Sequence, residues 1–185
     1  QHTSQRYNAE LEELRSSVLT MGGLVEQQCR QALEALVTGD ENMARFVAKS
    51  DYQVNELELE ISAQCTDILA RRQPAARDLR MVVAIIRMVS NLERIGDEAA
   101  KVGRMAMKLA DDRDRQSYYT EPKHLGDGVS SMLRGALDAF VHPVRERRYA
   151  IAAAVGLGGR AAAQAEVVLQ QAIAKVGQHG ADTFE

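Results

Sequence analysis

Tryptophan is absent from the chain, proline occurs only three times, and aromatic residues fill 4% of its 185 positions. With little to interrupt helices and with Ala, Leu, Glu and Arg in abundance, the composition is that of an all-α protein. The two cysteines, Cys29 and Cys65, are too few for a disulfide scaffold, and their apolar spacing on different predicted helices suits buried reduced thiols. No apolar run approaches the ~20 residues that span a bilayer, and the opening QHTSQRYNAELEE is too polar for a signal peptide, so a cytoplasmic protein is expected. Because the chain starts at Gln1 without Met, a trimmed start is expected too. A formal net charge of −3 and the lack of a dominating Lys/Arg block speak against a nucleic-acid partner. Glycine-rich phosphate loops, nucleophile elbows and Cys-x-x-Cys pairs are missing as well.

What is present is helical periodicity on a chain that is 45% hydrophobic, enough for a buried core in one domain or two small ones. From about Ser4 to Val37, Leu11, Leu14, Val18, Met21, Val25, Cys29, Ala32 and Leu36 recur at three and four, with a bend or close crossing expected at Gly22-Gly23. Thr38-Gly39-Asp40 reads as a stop and a new N-cap, opening a second helix from Glu41 to about Arg71. Gln73-Pro74 ends that helix, and a third begins at Pro74 and runs to Asp111 or Asp112. On it Leu79, Val82, Ile86 and Val89 are expected to face inward. A polar linker, residues 111 to 123, precedes a fourth helix at about 124–142 that carries Leu125, Val129, Met132, Ala136 and Phe140. The expected architecture is therefore a long antiparallel three-helix bundle over residues 1–112, then a partial or degenerate second helical unit over 113–185. Within that unit the tail, 143–185, has one convincing helical run, Arg160 to Val176.

Continued along the third helix, the apolar stripe turns into Glu93 and Asp97, while on the second helix Asp51 and Glu58 interrupt the stripe. Like charges one turn apart are destabilising, and half-buried acids need a cation or a proton to compensate them. A hairpin turning at Gln73-Pro74 can set the two pairs opposite one another, which makes Asp51, Glu58, Glu93 and Asp97 candidate metal ligands. Oxygen donors alone favour Mg, Mn, Ca or Fe. The plainer alternative is a solvated face, with Asp97 in an exposed salt bridge to Lys101 four residues on. A di-iron oxidase of the ferritin type would need Glu-x-x-His motifs, and none surrounds His2, His124, His142 or His179. Arg71, Arg72, Arg77 and Arg80 near the start of the third helix could attract phosphate, although a solvated basic cluster accounts for them more simply.

The segments LARRQPAARDLR (Leu69–Arg80) and NLERIGDEAAKVGRMA (Asn91–Ala106), with YNAELEELRSSVLTMGGLVEQQ at Tyr7–Gln28, resemble the PhoU family of bacterial phosphate-uptake regulators over about residues 4–140. The resemblance implies paired three-helix bundles, metal motifs in which an acid is followed four residues later by Asp, and a role without catalysis. It further implies a cytosolic negative regulator that couples a phosphate ABC transporter to a sensor histidine kinase at the inner face of the membrane. The acid-x-x-x-Asp motif falls on Glu93 and Asp97, its partner segment on Asp51, Asn55 and Glu58, and Asn55 stands where the family often has Asp. The expected cofactor is a divalent or ferric ion, Fe, Mn, Mg or Zn, and the expected assembly a homodimer. After Phe140 nothing repeats the Leu-Glu-Arg-Ile-Gly-Asp segment of the family's second bundle, so a truncated or frame-altered C-terminus is expected. A carboxylate-bridged oxidase and a plain helical dimerisation module are the rival readings.

Overall fold

The computed structural model describes residues 2–109 and 120–141, together with 156, 159–161, 163, 164 and 167. Among the described residues four continuous helices follow one another: α1 His2–Thr38, α2 Glu41–Arg72, α3 Ala76–Lys108 and α4 Thr120–Val141. Each turn has its chemistry. Gly39 takes φ 73°, the left-handed position that ends α1, and the Asp40 carboxylate accepts a hydrogen bond from the Met43 N–H at 3.0 Å to start α2. Gln73 ends α2 at φ 43°, and α3 begins at Ala76, two residues later than Pro74. It ends at Lys108, short of Asp111. Helix α4 begins at Thr120, so residues 120–123 of the expected linker are helical; the rest of that linker lies outside the described residues.

Contacts between helix ends fix the directions. Arg72, at the end of α2, donates through Nε and Nη2 to the two oxygens of Glu10 near the start of α1, at 3.1 and 2.7 Å. Asp78, in the first turn of α3, accepts from the Tyr7 hydroxyl at 3.2 Å. So α2 runs antiparallel to α1, and α3 parallel to it. Burial and the Asp78 charge push the Tyr7 hydroxyl up to about 12, which keeps it a donor.

The three long helices share one core. Leu14, Val18, Met21 and Val25 of α1 meet Val47, Val54 and Ile61 of α2 and Val82, Ile85, Met88, Leu92 and Ile95 of α3. Each of the larger side chains contributes on the order of 1.5–3 kcal/mol by leaving water. Cys29 and Cys65 are free and buried in this core, and burial raises their thiols to about 12 and about 11.

The inward row of α3 differs from the sequence expectation. Val82 and Val89 are buried, but Leu79 and Ile86 remain 42% and 38% exposed. The buried stripe instead takes in Met81, Ile85, Met88, Leu92 and Ile95, because α3 is covered by α1 as well as α2 and its apolar face is wider than a single row. Helix α4 packs on α1 through Val129, Leu133, Ala136 and Phe140. Helix α1 runs unbroken through Gly22-Gly23. A Cβ on Gly22 would lie 2.5 Å from Leu137 Cδ2, so glycine there permits the close crossing of α4. Farther along, Ala161 is fully buried in the same core, whereas Ala163 is exposed and Val167 is 46% exposed.

Candidate metal centre

Two glycines on α3, seven residues apart, let the bundle close around the acids. A Cβ on Gly103 would sit 3.0 Å from the Ala44 carbonyl oxygen of α2. One on Gly96 would meet Gln28 Oε1 at 3.2 Å and Val54 Cγ1 at 3.3 Å. Gln28 is itself buried and donates from Nε2 to Ser50 Oγ at 3.1 Å, and Ser50 in turn donates to the Val47 carbonyl at 3.0 Å. This polar layer joins α1 to α2 and lies against Gly96 of α3, Ser50 and Gly96 being next in the chain to Asp51 and Asp97, and Gln28 Oε1 is buried without a hydrogen-bond partner. The glycine spacing was the readable sign of so close an approach.

Asp51, Glu58, Glu93 and Asp97 are all half-buried along the border between α2 and α3. They occupy the edge of the core, Glu93 and Asp97 on the same row of α3 as Leu79 and Ile86. Their charges act on one another across the interface. Burial first, then the Asp97 charge, push the Asp51 carboxyl above its ordinary range, against weaker lowering by Arg104 and Lys101. Burial, followed by Asp97, Glu58 and Asp51, does the same to Glu93. Asp51 Oδ1 is buried without a hydrogen-bond partner. Among the described residues, however, no three His, Cys, Asp or Glu side chains converge as a preformed metal ligand set. The backbone brings the two acidic pairs to one border, and their side chains stand apart on it.

Compensation already exists at one end. Lys101 Nζ lies 3.6 Å from Asp97 Oδ2, the ion pair that spacing predicts, and donates to Glu98 Oε1 at 2.7 Å. Sequence reasoning missed Glu98, although its three-residue spacing from Lys101 was visible. Ser62 donates to Glu58 Oε1 at 3.2 Å, so Glu58 too has a partner one turn on. Asn55 is exposed. Two members of the basic cluster are paired with acids: Arg71 with Asp67 at 3.0 Å and Arg72 with Glu10.

Burial and neighbouring charge raise the Asp51 and Glu93 carboxyls and Asp51 Oδ1 is left unpartnered, but the four acids do not group into a ligand set that fits a cation. These features define a class, an all-α bundle with a carboxylate-edged helix pair. The comparisons with known proteins make it specific. Residues 18–106 match the PhoU domain. A phosphate-specific transport system accessory protein PhoU homolog of Pseudomonas putida is 50% identical over 139 residues, 75% of this chain and 54% of that protein. A homolog of the same description from Clostridium acetobutylicum is 33% identical over 150 residues, 80% of this chain and 68% of its own length. The crystal structure of PhoU from Pseudomonas aeruginosa superposes with a TM-score of 0.72 at 35% identity, covering 93% of this chain and 99% of that one. The chain belongs to the PhoU family, and it spans about half the length of the P. putida relative.

Proposed function

We propose that this chain is a non-enzymatic, cytoplasmic negative regulator of phosphate uptake. It acts by contact with a phosphate ABC transporter and its sensor histidine kinase, and it meets the membrane only through them. The observation that carries this reading is the 50% identity to an accessory protein of the phosphate-specific transport system. No described helix is long and apolar enough to cross a membrane. The experiment is expression of this chain in a bacterium lacking its own accessory protein and carrying a phosphate-regulon reporter. Restored repression in high phosphate supports the proposal; a reporter as active as with an empty vector overturns it.

The same reading assigns a divalent or ferric ion to Asp51, Glu58, Glu93 and Asp97. When bound, the ion supplies positive charge that joins α2 to α3. The residues themselves hold two acids on each helix at one border, with Gly96 and Gly103 keeping the helices close. A reading without metal has one observation in its favour, the contacts of Lys101 with Asp97 and Glu98. In that case the acids contribute only a half-buried ion-pair cluster, and added metal leaves the melting temperature unchanged.

A further inference from the structure

We infer that the outer face of α2 and α3, near the turn that joins them, is a dimerisation surface for a second copy of this chain. The helix α2 of each copy lies antiparallel along α3 of the other.

Three features carry it. First, of seven exposed large apolar side chains among the described residues, five lie on these two helices away from the core. Tyr52 and Leu59 of α2 are 58% and 67% exposed, and Leu79, Val83 and Ile86 of α3 stay open because α4 packs on α1. Second, the two edges of the face carry opposite charge. Glu60 and Asp67 are exposed on the side of α2 opposite to the Asp51–Glu58 row, and Arg80 and Arg87 are exposed on the side of α3 turned away from the Glu93–Asp97 row. Both pairs are seven residues apart, two helical turns. Neither arginine is in an ion pair among the described residues, and Asp67 has only its exposed contact with Arg71, which is worth little. Third, the levels match. The helices run antiparallel, with the Asp97 charge acting on Asp51 and the Glu58 charge on Glu93, so Glu60 is within about a turn of the level of Arg87, and Asp67 of Arg80.

A two-fold axis parallel to the helices, passing between α2 and α3, therefore sets Glu60 against Arg87 of the second copy and Asp67 against Arg80 of the second copy, each twice over. Inside these pairs Leu59 meets Val83 and Ile86 of the second copy. Burial of the apolar side chains drives the pairing, and the matched charges fix its register. The contact belongs to the end of the face nearest the turn, short of the four border acids, and needs no metal.

The test is sedimentation equilibrium of the full chain in chelator, comparing wild type with Arg80→Glu/Arg87→Glu, Glu60→Lys/Asp67→Lys and, as a control on exposed positions of α1, Glu13→Lys/Glu34→Lys. Wild type is expected to dimerise. Each reversal on the face should raise the dissociation constant at least about tenfold, as like charges set against one another predict. The control should shift it less than about twofold, as screened distant charges do. An equimolar mixture of the two face reversals should restore the wild-type constant as a heterodimer, because every pair is then again of opposite sign. A wild type still monomeric at about 100 μM overturns the inference. So do face reversals that dimerise like wild type, a control that weakens the dimer as much, or a mixture no tighter than either reversal alone. Should a double reversal not fold, Arg87→Glu and Glu60→Lys serve singly with the same expected direction and rescue.

Discussion

Burial first, and then the charge of Asp97 on α3, raise the proton affinity of Asp51 on α2, so two carboxylates from different helices are coupled across the interface that holds the bundle together. Glu93 feels the same two charges and that of Glu58. The coupling links the acidic border to the stability of the fold.

The first consequence concerns pH. A carboxyl with a higher proton affinity in the folded state contributes stability fully present below its ordinary value, here 3.8 for Asp51 and 4.5 for Glu93, and lost as pH rises through the raised folded value. Metal-free Asp51→Asn/Glu93→Gln should therefore melt above wild type at neutral pH. The gap should close as the solution is acidified through the carboxylate range, which thermal melts in chelator would show. A gap independent of pH contradicts the coupling.

A second prediction separates two glycines of the same chemistry. Gly103→Ala forces a methyl to 3.0 Å from the Ala44 backbone oxygen and should cost about 1–3 kcal/mol in denaturant unfolding. Gly23 has nothing within 4 Å of an added Cβ and lies in a helix interior, so Gly23→Ala should stabilise by about 0.5–1 kcal/mol.

The register of α3 gives a third. Ile85 is fully buried and Ile86 is 38% exposed. Ile85→Ala should cost about 2–5 kcal/mol by leaving a cavity, and Ile86→Ala less than about 1 kcal/mol. Equal losses would restore the inward row first read from the sequence.

That row shows where legibility ended. Helix order, the Gly39-Asp40 reversal and the Gln73 break were readable because each depends on local backbone and capping chemistry. The side on which α3 lies against two partners was not, since spacings of three and four fit Leu79–Val82–Ile86–Val89 as well as Val82–Ile85–Met88–Leu92. For the same reason the acids were expected on the inward stripe, whereas they line its edge. Asp97–Lys101 was legible as a four-residue pair within one helix. The charge reaching Asp51 from Asp97, the approach of Leu137 to Gly22 and the burial of Ala161 depend on contacts between segments far apart in the chain, which no local pattern encodes.

The most direct measurement is the melting temperature of metal-stripped chain with and without Mn2+, for wild type and for Glu93→Gln/Asp97→Asn. At a free concentration about a hundredfold above Kd, an ion that binds only the folded state should raise the wild-type melting temperature by roughly 5–10 °C. The double variant should show no such rise. A wild type indifferent to the ion, or a variant that gains as much, would contradict the assignment of a cation to these carboxylates.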